Sequence, residues 1–153
     1  MLPALDEIKS TVEQLVPGVS VTVDGTTLSV TPKDLAAVCR CLRDTDRFGL
    51  DYLSNLTAVD YPPEHIDLVY HLYSMRLKHG PLALRVRIAD RVQPTVDSMT
   101  PIWRGAEYQE REVYDLFGVR FQGHPDLRRI LMWEGFDGYP MRKDYVVEDQ
   151  DRP

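Results

Sequence analysis

The sequence predicts an α+β fold: an antiparallel sheet with helices packed on one side, followed by an extended C-terminal arm. Three observations carry this. Helical spacing of apolar residues occurs in two stretches near the start and one near residue 110, whereas the middle of the chain alternates with period two. Strands that follow one another directly pair antiparallel and keep one face wet. Residues 119–153 show neither period, yet they are rich in large apolar side chains.

Each element follows in order. Leu2, Leu5, Ile8, Val12 and Leu15 sit at helical spacing, and Pro17-Gly18 ends that helix. Val19 to Val23 alternates strictly, Asp24-Gly25 turns, and Leu28 and Val30 resume the alternation, which is a hairpin signal. Thr31 can cap a second helix with Pro32 in its first position. Its apolar stripe is Leu35, Val38, Cys39 and Leu42. Three strands follow: Tyr52 to Asp60; Ile66 to Met75, with Ile66, Leu68, Tyr70 and Leu72 on one face; and Leu82 to Ile88. A turn at Tyr61-Pro62-Pro63-Glu64 separates the first two, and Gly80-Pro81 the last two. Leu82, Leu84, Val86 and Ile88 point inward, while Arg85 and Arg87 point outward. With Arg76, Lys78 and Arg91 they form a modest basic patch, either a solvated face or a docking face for an acidic neighbour. His65, His71 and His79 read as surface or half-buried residues. Thr100-Pro101 begins a third helix that ends at Phe117-Gly118, where glycine supplies a left-handed turn.

The chain has 153 residues, 43% of them apolar and 27% charged, as expected of one globular domain. A net charge of −6 argues against nucleic acid, because phosphate binding calls for a basic surface. No apolar run approaches the ~20 residues that cross a bilayer. The first residues lack the basic and apolar regions of a signal peptide. Cys39 and Cys41 point about 200° apart on a helix, so they cannot share a metal or a disulfide. C-x-x-C pairs, glycine-rich phosphate loops, a nucleophile elbow and H-E-x-x-H are all missing, so no metal, flavin or nicotinamide is expected on this chain.

The domain is therefore expected to cover residues 1–118 and the arm residues 119–153. A structureless run of that length is unusual in a compact domain. Disorder would imply few large apolar residues. This run instead carries Phe121, Leu127, Ile130, Leu131, Met132, Trp133, Phe136, Tyr139, Met141 and Tyr145. Such an arm needs a surface, and it reads as laid on a partner. The four bases Arg128, Arg129, Arg142 and Lys143 balance Asp126, Glu134, Asp137 and Asp144. Recognition then has to be local and geometric.

Projected at 100° per residue, Ile102, Trp103, Ala106, Val113, Tyr114 and Phe117 share one face of the third helix, and Glu110 falls in its middle. A carboxylate there must be paired or hydrogen-bonded; Arg128 or Arg129 is the expected partner. Arg111 can pair locally with Glu107 or Asp115, while Glu112 faces the opposite side. An E-R-E run alone reads as a solvated face. His124, before Pro125, could act as a base with Asp115 or Glu112 in a free-standing enzyme. Without ligand-spaced neighbours it reads better as an anchor of the arm. Trp103 and Trp133 read as packing anchors.

The run Glu110-Arg111-Glu112-Val113-Tyr114-Asp115-Leu116-Phe117-Gly118, then His124-Pro125-Asp126-Leu127-Arg128-Arg129-Ile130-Leu131, then Gly138-Tyr139-Pro140-Met141-Arg142-Lys143-Asp144, resembles the signature of the complex I 30-kilodalton family, the C subunit of NADH:quinone oxidoreductase. Met141 replaces a usual leucine. The resemblance implies a cofactor-free, non-catalytic subunit in the hydrophilic arm of a proton-translocating NADH:quinone oxidoreductase. It implies hetero-oligomeric partners: the hydrogenase-large-like quinone-site subunit and the terminal-cluster subunit. FMN and iron–sulfur clusters would then sit in other subunits, and membrane contact, at the cytoplasmic face of a bacterial inner membrane, would come only through the complex. The same features fit the equivalent subunit of an energy-converting hydrogenase or ferredoxin-dependent quinone reductase. The residues carried over as motif and interface are Glu110, Arg111, Glu112, Asp115, Phe117, Gly118, His124, Pro125, Arg128, Arg129, Trp133, Tyr139, Pro140, Arg142 and Lys143.

Overall fold

The computed structural model describes residues 1–147; the end of the expected arm, residues 148–153, lies outside them. Helix α1 spans Leu5–Leu15, strands β1 and β2 are Val21–Asp24 and Thr27–Val30, and α2 is Leu35–Asp44. Strands β3 (Tyr52–Tyr61), β4 (His65–Ser74) and β5 (His79–Ile88) form the meander, and β6 (Thr95–Asp97), α3 (Ala106–Phe117) and β7 (Arg120–Gln122) complete the chain. Five strands make one sheet in the order β1-β2-β5-β4-β3. The hairpin joins the meander by a parallel seam between β2 and β5; every other pair in this sheet is antiparallel.

The period-two pattern sets the register. Ile66 lies opposite Ile88, Leu68 opposite Val86, Tyr70 opposite Leu84 and Leu72 opposite Leu82. A one-residue slip of either strand would turn its four core residues to the other face. These residues are buried together with Ile8 and Val12 of α1 and Leu35, Val38, Cys39 and Leu42 of α2. Leu15, the last residue of α1, is exposed.

Local chemistry moves several boundaries. Thr31 does not cap α2: its hydroxyl donates to Asp34 Oδ2 at 3.1 Å, and that carboxylate also accepts the Ser20 N–H. The turn between β4 and β5 is Met75–Lys78, not Gly80-Pro81. Ser74 Oγ accepts the Leu77 N–H, and Lys78 takes a φ of +53°. The strand consequently starts at His79, which is buried with Nε2 2.6 Å from the Phe48 carbonyl. Three arginines of the basic patch are held in ion pairs. Arg85 reaches Asp24 at 2.6 Å, Arg87 binds Asp67 through both oxygens, and Arg91 does the same to Asp60.

Helix α3 begins at Ala106 rather than at Thr100-Pro101. Turns fill residues 99–105, where the Ile102 and Trp103 N–H groups bond the Met99 carbonyl. Trp103 is the expected packing anchor, its indole N–H 2.9 Å from the Leu50 carbonyl. Past Gly118 the chain re-enters the domain. Arg120–Gln122 pairs in parallel with Thr95–Asp97, and Val119 and Phe121 are core residues. The expected boundary at Gly118 therefore falls inside the packed region, and the irregular segment starts at Gly123.

Candidate functional site

Helix α3 has three faces. Ala106, Glu110 and Val113 face the sheet, Tyr108 and Glu112 face solvent, and the side bearing Glu107, Arg111 and Asp115 lies under the C-terminal segment. A helix leaves its last four carbonyls without intrahelical donors. Here all four are satisfied. The Gly118 N–H bonds the Tyr114 carbonyl, and Arg129 Nη1 bonds that of Asp115. The Met141 N–H bonds Leu116, and Arg142 Nε bonds Phe117 at 2.6 Å. Much of the spaced motif is thus the C-terminal cap of α3, delivered from well downstream, as the 14 residues from Asp115 to Arg129 and the 25 from Phe117 to Arg142 show. Cations at this end also meet the negative pole of the helix dipole.

Asp115, with no exposed surface, is the hub. Its Oδ1 takes Arg129 Nη1 at 2.7 Å, and its Oδ2 takes the N–H groups of Ile130, Leu131 and Met132 at 3.2, 2.7 and 2.9 Å. Burial alone would raise this carboxyl; the bonds from Met132, Arg129, Leu131 and Ile130 together hold it below its ordinary value. Arg129 continues to the carbonyls of Phe136 and Gly138. Arg111 pairs with neither Glu107 nor Asp115. Its guanidinium donates to the carbonyls of Arg128 and Arg129.

His124 holds the segment to the helix. Its Nδ1 accepts the Asp126 N–H at 2.9 Å, so the proton sits on Nε2, which donates to the Glu107 carbonyl at 2.8 Å. Both ring nitrogens are occupied, an arrangement for holding rather than for proton abstraction. Sequence reasoning misses Asp60, although it continues the buried phase Leu56, Ala58, Asp60 of β3. Its carboxylate binds Arg91 and the Lys143 N–H; the Arg91 bond is the main cause of its lowered pKa.

Glu110 is buried as expected, but its partner differs. Ser98 Oγ donates to Oε1 at 2.5 Å and the Met99 N–H to Oε2 at 3.1 Å, with no arginine in reach. Arg128 instead pairs with Asp126 on the surface. Burial pushes the Glu110 carboxyl up to about 7.

Tyr139 lies between two guanidinium groups, Arg129 at 5.2 Å and Arg142 at 5.5 Å from its ring centre. The same ring packs on Gly118, whose φ is +79°. A Cβ there would come within 2.6 Å of the ring. Gly118→Ala is therefore expected to cost at least ~1–2 kcal/mol from the backbone conformation alone, and to displace Tyr139. Urea unfolding checks this, and an unchanged midpoint would contradict the packing.

Several large apolar side chains remain outside. Leu131, Trp133 and Met141 are 60, 66 and 56% exposed, and Tyr108 is also exposed. Trp133 is thus not a core anchor; its ring meets Phe136 edge-on, at 4.8 Å. Glu112, Pro125, Arg128 and Lys143 are exposed, while Pro140 and Phe117 are half-buried. Among the described residues no group of three or more His, Cys, Asp or Glu could hold a metal ion.

A family model described as the respiratory-chain NADH dehydrogenase, 30 Kd subunit, matches residues 28–151. The chain is 46% identical over 123 residues to the second of the C-type subunits of NADH-quinone oxidoreductase in Rhizobium meliloti (strain 1021), covering 78% of this chain but only 65% of that protein. It is 41% identical over 150 residues to the C-type subunit of NADH-quinone oxidoreductase in Moorella thermoacetica, covering 95% and 98%. Among solved structures it resembles a chain of the membrane-bound sulfane sulfur reductase, an archaeal respiratory membrane complex, with a TM-score of 0.72 and 26% identity over 94% of this chain and 86% of that one. It also resembles the trypsin-resistant fragment (1-134) of Nqo5, with a TM-score of 0.59 and 27% identity over 80% of this chain and 98% of that one.

Proposed function

The chain belongs to the family of the respiratory-chain NADH dehydrogenase 30 Kd subunit, and from that premise we propose that it serves a NADH:quinone oxidoreductase as a non-catalytic docking and assembly subunit. The observation that carries this reading is the C-terminal segment. Arg129 and Arg142 of its motif are spent inside the chain, on binding Asp115 and capping α3, while Leu131, Trp133 and Met141 stay in solvent. Large apolar side chains concentrated on one exposed segment mark a surface that another protein covers. The resistant fragment of a relative, which this chain matches with 80% of its length, supports a protease-stable domain with a more accessible remainder.

The partners proposed are the hydrogenase-large-like quinone-site subunit and the subunit holding the terminal cluster. FMN and iron–sulfur clusters belong to other subunits in this reading, and the whole lies on the cytoplasmic face of the membrane. The likeness to a sulfane sulfur reductase chain favours one alternative: the equivalent subunit of a related membrane-bound respiratory complex with a different electron donor.

Purification of the tagged chain under mild detergent distinguishes these. The expected result is co-purification of both partners with FMN and NADH:quinone activity. Recovery of the chain alone would refute the docking role, and partners without an NADH-oxidising module would favour the alternative. Trp133→Ala is expected to reduce the amount of assembled complex while the turnover of what assembles stays unchanged. Intact complex with collapsed turnover would contradict a docking role.

A further inference from the structure

Glu110 is a motif residue that neither caps α3 nor touches the C-terminal segment. It lies between α3 and the sheet with no exposed surface. No charged side chain pairs with it among the described residues. Its neighbours form a line of hydroxyls. Thr100 Oγ1 lies 2.8 Å from Ser98 Oγ, and Ser98 Oγ lies 2.5 Å from Glu110 Oε1. Ser98 is buried, whereas Thr100 is half-buried and marks the outer end of the line.

We propose that Glu110 is a buried proton-exchange site, connected to solvent through the hydroxyls of Thr100 and Ser98. Each hydroxyl in such a line both donates and accepts. A proton arriving at Thr100 Oγ1 releases that group's own hydrogen to Ser98 Oγ, which passes its hydrogen to Glu110 Oε1. One O–H bond forms and one breaks at each hydroxyl, and the carboxylate ends neutral. The Met99 N–H keeps its bond to Oε2 throughout, so the backbone need not move. The Ser98 N–H meanwhile bonds the Gln122 carbonyl, tying the line to β7 and hence to the base of the C-terminal segment.

The other groups facing this site do not compete for the proton. From β4, the Tyr70 hydroxyl is fully buried and has no hydrogen-bond partner among the described residues. Burial first, then the charges of Glu110 and Cys39, hold it well above the usual phenol range. Cys39 of α2 is pushed up by burial as well. On α3 itself, Arg111 and Asp115 are committed to the C-terminal segment, and the Glu107 carbonyl is committed to His124. The carboxyl's own elevation by burial places its exchange near neutral pH.

Side-chain carbon NMR of the full chain across pH 5–9 tests this, with the isosteric Glu110→Gln assigning the signal. One glutamate carboxyl is expected to titrate near neutrality, apart from the others. Thr100→Val should leave its midpoint in place but slow proton exchange by about a hundredfold, and Thr100→Ser should restore the rate. Ser98→Ala should raise the midpoint, because it removes a donor to the charged form. A Glu110 that does not titrate in this range, or an exchange rate indifferent to Thr100→Val, would overturn the proposal.

Discussion

Asp115→Asn is expected to free the C-terminal segment from the helix while leaving the sheet folded. The substitution removes a carboxylate that joins one guanidinium and three consecutive N–H groups, and it strands Arg129 without its ion pair. Removing one member of such a buried pair typically costs ~3–5 kcal/mol. Trypsin should then cut at Arg128 and Arg129 much faster than in the parent chain, with residues before Ile88 still protected. The same contact should be acid-sensitive. A carboxyl whose folded pKa lies below its ordinary value adds stability above that ordinary value and loses it as pH falls through the folded one. Cleavage in the parent chain should accordingly rise only in acid, measured with a protease active there. Equal cleavage of variant and parent at neutral pH would mean that Asp115 does not organise the segment.

Glu110→Gln is expected to do the opposite and stabilise the protein at pH 8. Its carboxyl is raised by burial from 4.5 to about 7. At 1.36 kcal/mol per unit, the ionised form costs the folded state about 3 kcal/mol once pH exceeds both values. Because the folded value is the higher one, the cost appears as pH rises from 4.5 towards 7, and it is absent below that window. Glutamine keeps the shape, accepts from the Met99 N–H and donates to Ser98 Oγ. Urea midpoints at pH 5 and pH 8 should therefore differ in the parent chain and converge in the variant, whereas Glu112→Gln, on the exposed face, should change neither. A variant less stable than the parent at pH 8 would show that the carboxylate is well solvated or paired.

These two carboxylates also mark where sequence reading stops. Helical phase places Glu110 on the apolar face, and the structure buries it there. Phase cannot say what a buried carboxylate meets, and the arginine expected for Glu110 belongs to Asp115. Asp115 reads as a flanking residue because nothing in a helical projection reveals that an irregular segment will cover that flank. His124 holds that segment through two hydrogen bonds that spacing cannot specify. Residues 100–105 read as helix because Thr-Pro is a good start signal; turns prevail, with Met99 and Ser98 engaged by Glu110. Three-residue strands such as β6 and β7 are too short for a period to register, so their pairing is invisible in the sequence.

By itself, then, the sequence determined the elements with a sustained period, the face each presents to the core, the absence of familiar metal and nucleotide motifs, and the family. The first two are local properties, set by side-chain direction repeating every 2 or 3.6 residues. The tertiary structure alone decided the parallel seam between β2 and β5, the return of β7 alongside β6, and which arginine meets which carboxylate. It also decided that the motif of the C-terminal segment caps α3 from a distance and leaves Trp133 outside. Each of those depends on where an irregular or distant stretch of chain arrives in space. That arrival is settled by the sum of many packing and hydrogen-bonding terms, none of which repeats along the sequence.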